Sequence, residues 1–277
     1  MLRKIVESGG MRKLFGQIAK QILSRAFRRF PGVLASSLRM IVARDTFKNQ
    51  DTLSSGIFEG AKFRHLAWNS SDKASILSGS YEHEVQSWLS ENITRMDRDV
   101  INIGAGDGLY AVGLLHSGFA ARVFCFETNP QSRKLITKNA TLNNLQEEHL
   151  VVQGTFNNIA DSLSTSLKDF RFNDSLFIVD VEGAEFEILS PEFFEIFRSS
   201  AGLVEIHDPQ GQKAAELKLL AETFYDVKVI KTQGRDPMEF PALAKLSDDF
   251  RWGVMSEGRS YPGQWFGLTP KQLELKT

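Results

Sequence analysis

The 277-residue chain has few of the features that mark secreted or membrane-spanning proteins. Its single cysteine, Cys125, excludes an internal disulfide framework and a cysteine zinc site, and favours a reducing compartment. No apolar run approaches the roughly 18 residues that a membrane span needs. The N-terminus also lacks the apolar core and the cleavage site of a secretory signal. We therefore predict a soluble cytoplasmic protein, large enough and apolar enough, at 42% hydrophobic residues, to bury a full core.

The net charge of −1 hides an uneven distribution along the chain. Residues 1–50 carry eleven lysines and arginines and two acids, a charge of +9, so the other 227 residues sum to −10. Apolar and basic residues alternate through 11–30 and 33–43 at helical spacing, interrupted by Pro31-Gly32. We predict a basic, mainly helical extension over residues 1–75. It either docks on anionic lipid at the inner membrane face or caps the acidic body, and the second interpretation is favoured.

From residue 76 to 277, short apolar runs alternate with helical patterns, which predicts a doubly wound, mostly parallel sheet of the α/β class. A helix is predicted over 80–93, with Ser80 as its N-cap. The predicted strands are 99–103, 122–127, 149–153, 175–180, 202–206 and 226–231, with a last strand near 251–256 that pairs antiparallel at an edge. The helices between them are predicted near 108–117, 130–144, 157–168, 183–198 and 212–224, with Ser190 capping a helix that starts at Pro191.

The first predicted strand runs into a glycine turn, "INIGAGDG" at 101–108. Its spacing is G-x-G-x-G, whereas a dinucleotide turn needs G-x-G-x-x-G and a phosphate loop needs Gly-Lys-Ser/Thr. Asp107 beside the turn would repel a diphosphate. The second strand ends in Glu127, whose carboxylate can accept hydrogen bonds from both hydroxyls of a ribose. A turn of this kind followed by such an acid is what S-adenosylmethionine requires, as a ribose-bearing cofactor without phosphates.

Several longer stretches resemble the FkbM-type methyltransferases, class I enzymes that use S-adenosylmethionine. They are "VINIGAGDGLYAVGLL" at 100–115, "VFCFETNPQSRKLITKNATLNN" at 123–144, "FIVDVEGAEFEIL" at 177–189, "LVEIHD" at 203–208 and "SGSYEHEV" at 78–85. The resemblance covers roughly residues 78–210. It departs from the family at Asn102, where an aspartate is common; an amide can still accept a hydrogen bond there but supplies no charge.

The resemblance implies transfer of a methyl group to a hydroxyl of a carbohydrate or a natural product, so the predicted partner is a small-molecule or glycan acceptor. No nucleic-acid recognition motif is present. The residues predicted to bind the cofactor are Tyr81, Asn102, Gly104, Ala105, Gly106, Glu127, Thr128 and Asp180.

Asp180 ends the fourth predicted strand, and His207-Asp208 ends the fifth, so we expect all three in one crevice. We predict that Asp180 and His207 are catalytic, His207 taking the proton of the acceptor hydroxyl. A Mg²⁺ ion held by Asp180 and Asp208 is the less favoured alternative, because a histidine in the group suits magnesium poorly. No metal is therefore predicted. The competing function is a methyltransferase-like module that binds the cofactor or a glycan without turnover. The amide of Asn102, at a position where the family often has aspartate, keeps this hypothesis open.

Overall fold

The computed structural model describes residues 40–41, 44–64, 66, 72–93, 98–163, 165–257, 259 and 261–271. The basic segments predicted over 11–30 and most of 33–43 lie outside these ranges, so the role of the extension stays a prediction. Within the described ranges, no helix combines the length and the apolar character that crossing a membrane demands.

Seven strands form one sheet, and the prediction of a doubly wound, mostly parallel α/β fold is confirmed. The spatial order is β3-β2-β1-β4-β5-β7-β6, and every neighbouring pair is parallel except those that β7 makes with β5 and β6. The first six strands were predicted to within one residue at each end. The strands are β1 Asp99–Ile103, β2 Arg122–Phe126, β3 Leu150–Gln153, β4 Leu176–Val179, β5 Ala201–Glu205, β6 Tyr225–Lys231 and β7 Gln264–Pro270.

Helices cover both faces of this sheet and connect its strands. They are α1 Lys73–Ser78, α2 His83–Asn92, α3 Leu109–His116, α4 Pro130–Leu142, α5 Ile159–Leu163, α6 Glu185–Ile188, α7 Pro191–Ile196, α8 Gln212–Ala221, α9 Pro241–Ala244 and α10 Asp248–Met255, with short 3₁₀ turns at Glu147–His149 and Pro237–Glu239.

Four local predictions were wrong. The helix predicted near 157–168 is limited to α5, and residues 165–168 form a turn. The segment 251–256 is not a strand, because it belongs to α10, and the antiparallel strand is β7, which lies inside the sheet instead of at its edge. The helix predicted over 183–198 is two helices, since Ser190 accepts a hydrogen bond from the backbone N–H of Phe193 and starts α7 with Pro191, as predicted for that cap. Ser80 does not cap α2; its hydroxyl contacts Ser75 and Ser78.

Alternate residues of each strand pack into separate apolar clusters on the two faces of the sheet. One face, which includes Val100 and Ile178, packs against α2, α3 and part of the predicted extension, where Phe47, Phe58 and Phe63 are fully buried. The opposite face packs a set of aromatic rings from α7 and the strands. The division of the chain near residue 75 stays a prediction, and residues 47–63 share the core of the sheet.

Candidate functional site

A cavity of about 700 Å³ opens at the carboxyl ends of β1, β2 and β4. Ligands of open α/β sheets bind at this edge, where the strand order reverses. Of the eight residues predicted to bind the cofactor, seven line the cavity: Tyr81, Gly104, Ala105, Gly106, Glu127, Thr128 and Asp180. Segments up to about a hundred residues apart in the sequence therefore meet in one wall, and their binding of a cofactor stays a prediction.

The eighth, Asn102, lies elsewhere. Its side chain is buried within β1 on the face that carries Val100, and it is not part of the cavity wall. Its Oδ1 has no hydrogen-bond partner among the described residues. A contact between Asn102 and the cofactor stays a prediction.

Glycines in the turn after β1 allow two backbone segments to approach closely. Gly104 has φ +79°, and a β-carbon there would overlap the carbonyl oxygen of Asp180 and lie 2.6 Å from its carbonyl carbon. Gly106 has φ +53°, and a β-carbon there would meet nothing within 4 Å. Gly104 thus permits β1 and β4 to close beneath the cavity, whereas Gly106 leaves the cavity side of the turn open.

This difference predicts unequal effects of alanine at the two positions. We expect Gly104→Ala to lower the free energy of unfolding by about 3 kcal/mol or more, because the clash is with backbone that cannot move independently. Gly106→Ala should cost about 1–2 kcal/mol, the strain of a left-handed alanine. Urea unfolding of the two variants measures both values, and equal losses would show that the turn tolerates a side chain against Asp180.

Glu127 organises the glycine turn as well as facing the cavity. Its Oε2 accepts a hydrogen bond of 2.9 Å from the backbone N–H of Gly106, and its Oε1 accepts one of 2.7 Å from the N–H of Asn129. Each carboxylate oxygen has a second lone pair. The side chain can therefore accept hydroxyl hydrogen bonds from a ligand without losing its backbone contacts.

A second cavity, of about 210 Å³, adjoins the first. Asp72, Tyr81, Asp180 and Glu182 line both, so these residues stand at their junction. The smaller cavity is completed by Glu205, His207, Glu257, Arg259 and Tyr261. Its wall is strongly acidic, in contrast to the larger cavity, where apolar side chains such as Phe126, Phe156 and Ile188 contribute.

His207 lies near Asp180, as its place at the end of β5 predicted, and three glutamates that were not predicted surround it as well. Its Nε2 is 3.8 Å from Asp180 Oδ1, 3.5 Å from Glu182 Oε2 and 3.8 Å from Glu205 Oε2. Its Nδ1 is 3.5 Å from Oε1 of Glu185. Asp180 and His207, the two residues predicted to be catalytic, are thus brought together at the junction of the cavities.

Asp208 does not join them, so the predicted convergence of His207 and Asp208 was wrong. Its carboxylate accepts hydrogen bonds from the backbone N–H groups of Ala214, at 2.9 Å, and Gln210, at 3.2 Å, and so organises the loop before α8. Along an extended chain, residues two apart share a face, whereas the next residue points the other way. Glu205, two residues before His207, therefore takes the place expected of Asp208.

Electrostatic interactions shift the pKa values of this group in different directions. Burial, together with the charges of Glu205 and Glu82, raises the pKa of Asp180 well above its ordinary value. Burial lowers the pKa of His207, but the carboxylates of Glu185 and Glu205 outweigh it and the net shift is upward. Burial likewise opposes the contacts of Glu185 with His207, which hold the pKa of Glu185 below its ordinary value.

A buried ionic network, which the sequence did not reveal, closes the far side of the smaller cavity. Arg259 contacts the carboxylates of Glu82, Glu205 and Glu257, at 2.5 Å for Glu82 and 2.9 Å for Glu257. Tyr110 donates its hydroxyl hydrogen to Glu82. These partners come from the residue before α2, from β5, from α3 and from the segment before β7, so no local pattern could identify them.

Two acids of the site have left-handed backbone conformations, which favour glycine. Glu82 has φ +48° and Glu182 has φ +52°, and both line the larger cavity. For residues with a β-carbon such conformations cost about 1–2 kcal/mol. Strain of this kind tends to collect where a side chain must be aimed at a site.

Solved methyltransferases resemble the chain in structure at low sequence identity. No protein-family model matches the chain, and no curated protein matches it by sequence. The precorrin-6y C5,15-methyltransferase of Geobacter metallireducens GS-15 is 14% identical over 69% of this chain and 89% of that one, with a TM-score of 0.45. The O-methyltransferase of Bacillus cereus, solved with SAH, is 15% identical over 69% of this chain and 90% of that one, with a TM-score of 0.40. TYW2 of M. jannaschii, solved with AdoMet, is 15% identical over 68% of this chain and 76% of that one, also with a TM-score of 0.40. At these TM-scores the likeness carries no argument about function, which has to be argued from the residues of the two cavities.

Proposed function

We propose that the protein is an S-adenosylmethionine-dependent methyltransferase that methylates a hydroxyl of a carbohydrate or a natural product, as its resemblance to FkbM-type enzymes implies. The observation that carries the proposal is the position of Glu127. It ends β2 in the wall of the larger cavity, and both of its oxygens are fixed by backbone N–H groups beside the glycine turn. A carboxylate held in this way is suited to the two hydroxyls of a ribose.

The other residues of the larger cavity fit the same cofactor. Gly106 leaves open space beside the turn, and among the described residues that line the wall there is no lysine or arginine to bind a phosphate. Phe126, Phe156 and Ile188 offer apolar surface for an adenine ring. At the junction of the cavities, Glu182 supplies negative charge for a sulfonium or an ammonium group, and the carboxyl oxygens of Asp180 can accept a hydrogen bond from the ammonium.

The smaller cavity is the proposed acceptor site, because it meets the larger one beside Asp180. When bound, the cofactor supplies an activated methyl group, which passes to the acceptor oxygen while the sulfur keeps the electron pair of the broken bond. The protein's residues align the two groups and exclude water. The hydroxyl proton has a route to solvent through Glu182, which is exposed and lies 3.5 Å from His207.

The cofactor assignment predicts the effect of removing Glu127. We expect Glu127→Ala to weaken binding of S-adenosylhomocysteine by roughly 2–4 kcal/mol, or about 30- to 1,000-fold, because two hydroxyl hydrogen bonds to a charged acceptor are lost. Glu148→Ala, which removes an exposed carboxylate, is the control. Isothermal titration of the full chain measures both, with NAD as a comparison ligand.

Binding of NAD without any response to S-adenosylmethionine or S-adenosylhomocysteine would contradict the proposal. An unchanged affinity in Glu127→Ala would place the ribose elsewhere. Transfer is tested separately with S-adenosylmethionine labelled in its methyl group and a pooled panel of mono- and oligosaccharides. Tight cofactor binding without transfer to any acceptor class would favour the non-catalytic binding module.

A further inference from the structure

Three side chains at the base of the smaller cavity are arranged as the ligands of a cation. We propose that Asp180, Glu205 and His207 bind one divalent metal ion. One ligand atom from each lies within 4.8 Å of the other two. Asp180 follows β4, while Glu205 and His207 end the adjacent parallel strand β5, so the positions of all three are set by the sheet.

The separations within the group suit an ion more closely than direct hydrogen bonds. Nε2 of His207 is 3.8 Å from an oxygen of Asp180 and 3.8 Å from an oxygen of Glu205. A hydrogen bond between a charged N–H and a carboxylate is shorter, about 2.7–2.9 Å. Neighbouring ligands of an ion with bonds of about 2.1 Å lie roughly 3.0–3.4 Å apart. Movements of less than about 1 Å would therefore bring His207 and each acid to the separation of neighbouring ligands.

The orientation of His207 is an independent observation that points to the same ligand. Its imidazole is largely buried, and Nδ1 faces Glu185 at 3.5 Å, which leaves Nε2 directed at the group. Glu185 is itself fully buried and is fixed by the backbone N–H groups of Gly183, at 2.8 Å, and His207, at 2.7 Å. Metal-binding histidines commonly direct their second nitrogen at a carboxylate, which sets the ring orientation.

The charge of the cavity wall also leaves room for a cation. Among the described residues that line it are the acids Asp180, Glu182 and Glu205, and the guanidinium of Arg259. Glu257 also lines it and is paired with Arg235 as well as with Arg259. The guanidinium of Arg259 already contacts Glu82, Glu205 and Glu257. Glu205 uses Oε1 for Arg259, so its Oε2 is the oxygen that faces His207.

The donor set selects the kind of ion. Two carboxylates suit Mg²⁺, Ca²⁺ or Mn²⁺, whereas an imidazole suits the transition metals, so one nitrogen with two oxygens fits Mn²⁺ or Zn²⁺ best. An ion at this position would bind the acceptor oxygen and lower its pKa. That role rests on the proposed function, whereas the binding of the ion does not.

The test is titration of Mn²⁺ into the full chain, after treatment with EDTA and removal of the chelator, with Zn²⁺ and Mg²⁺ as comparisons. We expect one saturable site that prefers Mn²⁺ or Zn²⁺ to Mg²⁺. Glu205→Gln and His207→Gln should each weaken Mn²⁺ binding by roughly 100-fold or more, and Glu185→Gln by about 10- to 100-fold through the orientation of the imidazole. Asp208→Asn is the matched control and should bind Mn²⁺ as the unaltered chain does.

Binding of S-adenosylhomocysteine by each variant reports on its fold, and a failure to bind that ligand in the unaltered chain counts against the proposed function alone. If Glu205→Gln does not fold, pulsed electron paramagnetic resonance of the Mn²⁺-loaded unaltered chain decides, since a nitrogen coupling from His207 is expected. Absence of saturable Mn²⁺ and Zn²⁺ binding up to about 1 mM, a range that covers weak sites, would overturn the proposal. Loss of binding in Asp208→Asn with Glu205→Gln unaffected would do the same.

Discussion

Replacement of His207 by alanine is expected to lower the rate of methyl transfer by about 10²- to 10⁴-fold, the usual contribution of a group that handles a proton or polarises the reacting oxygen. Affinity for S-adenosylhomocysteine should stay within error of the unaltered chain. The reason is that His207 lines the smaller cavity and takes no part in the wall of the larger one. Transfer of labelled methyl to the pooled saccharides, together with isothermal titration, measures the two quantities on the same preparations.

His116→Ala is the matched control, because that histidine is exposed at the end of α3 and lines neither cavity. It should leave both quantities unchanged. If His207→Ala transfers methyl groups at the original rate, His207 serves only to hold Glu185 and the end of β5. A fall in cofactor affinity of the same size as the fall in rate would instead show that the two cavities bind a single ligand.

Arg259→Ala is expected to lower the free energy of unfolding by about 3–5 kcal/mol, because it leaves the buried side chains of Glu82 and Glu205 without their shared cation. Glu257 loses one of two cations, since it also contacts Arg235. The side chains of Glu82, Glu205 and Glu257 are 4%, 6% and 6% exposed, so solvent cannot replace the guanidinium. For a chain of this size the loss corresponds to a fall in Tm of roughly 6–20 °C. Arg198→Ala, which breaks an exposed pair with Glu195, should cost less than about 1 kcal/mol.

Arg259→Ala should also change how the free energy of unfolding depends on pH. Burial and the charge of Glu205 raise the pKa of Glu82 from 4.5 to about 8, while Arg259 opposes the rise. A carboxyl whose pKa is raised by folding takes up a proton when the chain folds, so the free energy of unfolding falls as the pH rises from about 4.5 towards 8. Because Arg259 holds the pKa of Glu82 down, its removal should make the free energy of unfolding continue to fall to higher pH. Thermal unfolding at pH 6 and pH 9 tests this, and an equal deficit at both would contradict it.

Local patterns were sufficient to predict the strands β1 to β5, which pair in parallel, since each is a short apolar run. β1, β2, β4 and β5 are buried on both faces, and the edge strand β3 is partly buried. Local patterns failed at β7. "QWFGLTP" contains a glycine and a proline, which disfavour a strand, whereas "RWGVM" in α10 is nearly continuous in apolar residues. The structure shows why Gly267 is there: a β-carbon would overlap the indole nitrogen of Trp88. That requirement comes from a helix almost 180 residues away and has no trace in the local sequence.

The residues of the site also divide into those that local patterns predicted and those that they did not. The glycine turn, Glu127 and Asp180 were predicted because each follows a strand, and strand ends meet at one edge. Glu205 was missed although a signal existed, since its spacing of two residues from His207 places both on one face of β5. Arg259 was beyond prediction: it follows a helix and lies in no motif, and its partners Glu82 and Glu205 are 177 and 54 residues away.

The position of β7 between β5 and β6 has a consequence for biosynthesis. Chains emerge from the ribosome N-terminus first, and β7 is the last described strand to appear. Until it does, β5 and β6 have no partner on their facing edges, and Arg259, only five residues before β7, cannot reach Glu82 or Glu205. The glycine turn and Glu127 are synthesised more than a hundred residues earlier. A nascent chain therefore contains the strand ends that form the larger cavity long before the smaller cavity can close. Completion of the smaller cavity coincides with completion of the sheet.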